Sequence, residues 1–276
     1  MRAPPDIRAH LVEVGNNADD DIDLAETALV LAAVARPCVS RAPYRRHLQA
    51  LVDEVADYAG GTGAGLERQV EALTQVIIKR YGYGATNAFD DLDAANLMRV
   101  IDTRSGLPVV LGILFIHVSG SLGWQVSGIA FPGRFLVRLE YNGTRTIIDP
   151  FASSRVLTAH DMRDMLKALS GNHAELTPEH YREMSARAVL LRLQENIKTR
   201  LLREVRLEDA LDVVETMLLF APDASYLWRE CGLLQAQLDR TQEAVASLEE
   251  HLRRSNGAGA RYNASILLQR LRARLN

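Results

Sequence analysis

Cysteine is almost missing from this chain, which carries only Cys38 and Cys231 in 276 residues. Two thiols so far apart give no disulfide framework, and their scarcity fits a reducing compartment. Excess charge is missing too, since a net value of −3 leaves no basic footprint for nucleic acid or an anionic membrane. No apolar run reaches spanning length, and the N-terminus lacks the charged, apolar and small-residue succession of an export signal. The seven histidines are scattered without H-x-x-x-H spacing, so neither a metal site nor a cofactor is expected. The loop Gly60-Gly61-Thr62-Gly63-Ala64-Gly65 has no following Lys-Ser/Thr and comes after a helical pattern, which reads as a flexible connector instead of a phosphate cradle. None of Ser105, Ser119, Ser121 and Ser153 lies in a G-x-S-x-G turn, and Cys38 reads as a small buried residue. His117 reads as a core or edge histidine. Together these absences predict a soluble, cytoplasmic protein.

What is present is a well-ordered hydrophobic pattern, with 47% apolar residues, enough for a full core. Its centre is Arg104 to Phe151. Val110, Leu111, Leu114, Phe115, Val118 and Leu122 recur at spacings of three, four and seven, predicting a buried helix over Leu107 to Leu122. Alternation follows, with a strand through Phe131, a Pro132-Gly133 turn, and a second strand from Arg134 to Glu140. Asn142-Gly143 is a strong hairpin signal leading into a third strand, Thr144 to Ile148. Before this centre, helices are predicted over Ile22 to Arg36, Tyr44 to Tyr58, Leu66 to Tyr81 and around Leu92 to Ile101. Thr158 with Asp161 marks a capped helix after it. Residues 1–20 read as a flexible tail in which Ile7, Leu11 and Val14 allow one docking turn. The expected fold is α+β, with residues 21–175 as one domain and 176–276 as an all-helical second.

The order Arg104-Ser105-Gly106-Leu107-Pro108, then Pro132-Gly133-Arg134-Phe135-Leu136-Val137-Arg138, then Ile147-Ile148-Asp149-Pro150-Phe151 resembles the transglutaminase-like domain of the SirB-one family. Gly82-Tyr83-Gly84 and the approach from Asn96 to Pro108 extend the resemblance over most of Asp23 to Leu169. It implies a papain-like core of one buried helix on a small antiparallel sheet. The parent superfamily carries a Cys at the helix start, a His on the next strand and an Asp beyond it. On this chain those positions fall on Pro108, Arg134 and Asp149. Proline has no ionisable group and suits the first helical turn. Arginine stays protonated, so it cannot act as a general base. No catalytic residue is therefore expected. Arg134 reads either as a structural partner of Asp149 or as a solvated strand arginine. Arg138, on the same face, matches an arginine of the family motif, and Arg104 precedes the buried helix, where it can hold a loop against a carboxylate. Both are candidate binding residues.

Beyond residue 176 the chain repeats itself. At an offset of 34, Ala210 meets Ala244, Leu211 meets Val245, Val214 meets Leu248, Glu215 meets Glu249 and Leu218 meets Leu252. That is the tetratricopeptide period, and Trp228, Gly232, Ala244 and Leu248 fall where such repeats carry Trp, Gly, Ala and a bulky apolar residue. Trp228 is the third candidate binding residue. Fourteen basic against twelve acidic residues from Ala186 onward are too even for a nucleic-acid surface. Repeat helices bind peptides or partner helices, or simply complete a core. Two functions stay open: a non-catalytic scaffold or regulator with a protein or peptide partner, and an enzyme of peptide or amide chemistry with an unusual or partner-supplied nucleophile.

Overall fold

A computed structural model describes residues 2–86, 91–150, 154–255 and 257–275, which divide into two compact units, Asp19–Leu193 and Met1–Ala18 with Gln194–Asn276. The first difference from the sequence reading is at the N-terminus. Where a fraying tail was expected, α1 (Pro5–Asn16) forms, because Pro5 suits the first turn and Ile7, Leu11 and Val14 bury along one side. Gly15 then lies so close to the main chain of Leu219 that a Cβ would stand 2.4 Å from its carbonyl oxygen. The segment thus belongs with the C-terminal helices, and the boundary between units falls after Leu193, later than expected.

In the larger unit, Asp23 caps α2 (Leu24–Val34) by accepting the Glu26 N–H at 2.9 Å. Cys38 lies exposed beyond its end, contrary to the expected burial, because the helix has stopped and the chain turns in solvent. Helix α3 (Ala42–Ala59) ends on Gly60, whose φ of 79° needs no Cβ. The glycine loop that follows is pinned: the Trp124 indole N–H donates to the Thr62 carbonyl at 2.9 Å, and the Gln69 amide donates to that of Ala64 at 2.8 Å. Helix α4 (Leu66–Leu73) widens into a π-helical stretch, Thr74–Arg80, where one continuous helix was expected. Next come β1 (Gly84–Ala85), a 3₁₀ turn at Leu92–Ala95, α5 (Leu97–Thr103), capped by Asn96, and β2 (Ser105–Gly106), parallel to β1.

Helix α6 (Pro108–Ser121) is the buried helix that the apolar periodicity predicts. It leads into β3 (Gln125–Phe131), β4 (Arg134–Tyr141), β5 (Thr144–Asp149) and β6 (Arg155–Leu157), an antiparallel meander. Asn142 and Gly143 both take positive φ, 48° and 76°, as the tight hairpin between β4 and β5 demands. After α7 (Ala159–Ser170), opened by the Thr158–Asp161 capping box, β7 (Glu183–Met184) adds to the far side of β3. The sheet order is β6-β5-β4-β3-β7. Its two faces are covered differently. Phe135 faces α6, and Gly112 of that helix gives the ring its room, since a Cβ there would sit 2.1 Å from it. On the other face Ile129, Phe131, Leu136, Ile147 and Leu157 pack with Met162 and Leu166 of α7.

The smaller unit is helical: the end of α8 (Ala186–Arg203), then α9 (Leu207–Phe220), α10 (Ser225–Gln237), α11 (Thr241–Arg254) and α12 (Ala258–Leu275). The 34-residue offset has a packing basis. Gly232 on α10 lets Leu248 of α11 approach, because a Cβ would meet that side chain at 2.8 Å. Ala244 and Leu248 join Ala264, Leu268 and Leu271 of α12 in one apolar cluster.

Candidate functional site

Pro108 is the first residue of α6, and Leu107 before it takes an extended conformation while its N–H donates to the Ala94 carbonyl at 2.9 Å. A helix start with free N–H groups is where a thiol would be activated. Proline fills the position with an inert ring. The two residues that the resemblance aligns with a base and an acid are joined: Arg134 Nη1 donates to Asp149 Oδ2 at 2.9 Å. Asp149 is only 3% exposed, whereas Arg134 is 40% exposed, so the guanidinium screens a buried carboxylate from solvent. Both readings of Arg134 therefore hold in part. Strand alternation places Arg134 with Leu136 and Arg138 on the α7 face of the sheet, while α6 packs against the opposite face. On the main chain at this corner, Arg192 of α8 donates to the Arg134 carbonyl at 2.7 Å and lies over the Phe135 ring at 5.8 Å. Burial pushes the Arg192 guanidinium pKa down.

Arg138 is buried in a structural network. It stands at ion-pair distance, 2.8 Å, from Glu140 without hydrogen-bond alignment of its Nε, pairs with Glu183 of β7, and donates to the Tyr181 carbonyl at 3.3 Å. Its charge is spent on tying strands across β3. Trp228 is similarly occupied: its indole N–H donates to the Pro222 carbonyl at 2.8 Å and Arg254 lies over the ring at 5.8 Å.

Arg104 has the richest surroundings of the predicted residues. It takes a left-handed backbone, φ 61°, as the cap of α5, an uncommon state for a residue with a side chain. Its guanidinium donates to His47 Nε2 at 2.8 Å and to the Tyr83 hydroxyl, and lies 4.8 Å from the Tyr83 ring centre and 5.7 Å from that of Tyr81. The Tyr83 hydroxyl also lies within hydrogen-bond distance of His47 Nε2, at 2.8 Å. Tyr81 donates to Glu54, which also accepts from Arg80 at 2.7 Å. Burial, reinforced by the Arg104 charge, pushes His47 down to about 4. Burial raises the Tyr83 phenol well above its ordinary value. The expected carboxylate partner of Arg104 is thus replaced by an imidazole and a phenol. No sequence spacing links His47 on α3 to Tyr83 and Arg104; the fold brings them together.

Among the described residues, hydroxyl meets imidazole at Tyr83–His47 and at Thr177–His180, where the Thr177 backbone N–H and hydroxyl both approach His180 Nδ1 to cap a 3₁₀ turn. Neither involves a Ser or Cys nucleophile. Cys231 is buried and raised to about 11, chiefly by that burial, with the Ser247 hydroxyl beside its sulfur. Ser119 is buried with an unpartnered hydroxyl, His117 is half-buried with its pKa lowered by burial, and Ser153 lies outside the described residues. No three His, Cys, Asp or Glu side chains among the described residues are arranged to hold a metal ion, and no helix there is long and apolar enough to cross a membrane.

A buried helix against an antiparallel meander, followed by helix pairs with a 34-residue offset, defines a transglutaminase-like domain joined to tetratricopeptide repeats. Residues 42–195 match the transglutaminase-like superfamily and residues 197–276 match the tetratricopeptide repeat. A UPF0162 protein of Vibrio cholerae is 30% identical over 239 residues, covering 85% of this chain and 88% of that one. Protein SirB1 of Salmonella typhimurium is 29% identical over 184 residues, covering 66% of this chain and 68% of its own. The chain belongs to this transglutaminase-like family.

Proposed function

We propose that this protein is a non-catalytic member of its family, a cytoplasmic scaffold or regulator that engages other proteins through its repeat helices and the remnant of the cleft. What supports the reading is the Arg134–Asp149 ion pair, at the two positions that the family resemblance aligns with the base and its orienting acid and on the sheet face away from α6 and Pro108. A thiol enzyme needs a group that takes and returns a proton, and a guanidinium does neither. Pro108, at the nucleophile position, supplies no atom that attacks a carbonyl. The repeat helices support the partner-binding half, since such helix pairs commonly present grooves to peptides.

One observation favours an enzyme of peptide or amide chemistry, namely the contact of the Tyr83 hydroxyl with His47. Its electrostatics run the wrong way. Attack by the phenol requires phenolate and imidazolium; burial disfavours both and outweighs the help that Arg104 gives the phenolate, while Arg104 further opposes a charged imidazole. The test is turnover by the unmodified chain, read as ammonia release from a glutaminyl peptide and as peptide-bond cleavage, beside a Pro108→Cys/Arg134→His variant. Rates indistinguishable from buffer for the unmodified chain are expected; robust turnover overturns the non-catalytic reading.

A further inference from the structure

Strand β6 is the last of its sheet, and it pairs Arg155 with Asp149, Val156 with Ile148 and Leu157 with Ile147 of β5. The two-residue Asn142-Gly143 turn makes Tyr141 and Thr144 the hydrogen-bonded pair that closes the β4–β5 hairpin. By alternation Thr146 and Ile148 also direct their main chain to β4, while Arg145, Ile147 and Asp149 direct theirs to the other side. Leu157 and Arg155 take up Ile147 and Asp149. The N–H and C=O of Val156 therefore point out of the sheet edge, where no strand receives them among the described residues.

Beside this edge lies a trough of about 1100 Å³, above the span of about 300–1,000 Å³ that single small ligands fill. Its floor is the sheet face of Tyr141, Thr144, Thr146 and Val156, and its wall is α4, through Leu66 and Val70 one turn apart. Val156 is 48% exposed, an aliphatic side chain left uncovered. The charges along the trough are mostly spent. Arg68 and Glu71 pair with each other at 2.9 Å, and alternation turns the Arg145 side chain to the opposite face, with Ile147. Glu67, on the wall, has no ion-pair partner among the described residues.

The geometry points to an added strand: an extended segment of another polypeptide pairs its main chain with Val156, lays aliphatic side chains over the trough from every second residue, and brings a lysine or arginine to Glu67. An extended chain is the occupant because it offers a free N–H and C=O together with side chains that alternate between two faces. A docked helix satisfies its own main chain and would leave Val156 as it is. One added pair supplies two hydrogen bonds, so the association is weak and the side chains select the partner. The site uses none of Pro108, Arg134 and the repeat helices, and so stands or falls apart from the non-catalytic reading.

Amide NMR of the full chain, titrated with acetyl-Val-Ser-Val-Ser-Lys-amide, tests it. Saturable shifts at Val156, Thr146 and Leu66 are expected, with slower hydrogen exchange of the Val156 amide. The same peptide N-methylated at its central valine lacks one main-chain donor and should bind about fivefold more weakly. Glutamate in place of its lysine should weaken it about threefold. Val156→Pro removes an N–H that β5 does not use, and should weaken the parent peptide by about fivefold. Glu67→Lys leaves the sheet untouched and serves as the second variant, with a loss of about threefold. No saturation, shifts confined to other parts of the chain, equal binding of the N-methylated peptide, or unchanged binding by Glu67→Lys overturns the inference.

Discussion

Arg134 and Arg104 each meet a side chain that can carry a proton, with opposite electrical consequences. Arg134, at the start of β4, meets the carboxylate of Asp149, at the end of β5, and the two opposite charges pair. Arg104 meets the imidazole of His47 and the phenol of Tyr83, and its positive charge adds to burial in keeping that histidine neutral. One cation is thus neutralised by a buried carboxylate, and the other helps to keep a buried imidazole neutral. The first pairing is electrostatic and half-exposed. The second is a packed cluster, with Tyr83 just 1% exposed.

This contrast predicts that the packed cluster carries more stability than the ion pair. Tyr83→Ala removes a fully buried ring together with the hydroxyl that both Arg104 and His47 use, and should cost about 3–5 kcal/mol in urea unfolding. Arg134→Ala leaves the buried Asp149 carboxylate without this partner and should cost about 2 kcal/mol, less than the full penalty because solvent reaches the arginine side. A larger loss at Arg134 than at Tyr83 would reverse the comparison.

The His47 cluster adds a pH dependence of definite sign. Its pKa in the folded chain is about 4, below the ordinary 6.5, so the unfolded chain binds a proton that the folded one refuses. Stability contributed by the neutral imidazole is complete above pH 6.5 and is lost as pH falls towards 4. Half-exposure reduces the amount to about 1–2 kcal/mol. His47→Gln should flatten that part of the stability profile, measured by chemical unfolding between pH 7 and 4.5; an unchanged slope would show that the imidazole is not held as described. As the smallest effect, Arg182→Ala on the exposed Arg182–Glu179 pair should leave the unfolding midpoint unmoved.

The same contrast separates what the sequence makes legible from what it hides. Helix α6 and the meander through β5 follow from local pattern, because periodicity and the Asn142-Gly143 turn are written in adjacent residues. The Arg134–Asp149 pair was one of two open readings, reached through a family resemblance. The His47–Tyr83–Arg104 cluster was out of reach, since its members come from three separated segments and the left-handed state of Arg104 leaves no trace in composition. Helix α1 reads as a tail in the sequence because two prolines and three aspartates outweigh Ile7, Leu11 and Val14, whose apolar side counts only once α9 is there to receive it. The two-residue strand β7 likewise exists only through its pairing with β3. Motif position alone singles out Arg138 and Trp228 in the sequence; the ion pair of Arg138 with Glu183 and the hydrogen bond of Trp228 to Pro222 become visible only in the fold.

A double-mutant cycle on Arg134→Ala and Asp149→Ala, followed by urea unfolding, tests most directly whether a structural tie stands where a proton relay would. A coupling of about 1–2 kcal/mol is the predicted result. Additive effects of the two substitutions would contradict it, leaving Arg134 a solvated cation and the Asp149 carboxylate to be accounted for by other partners.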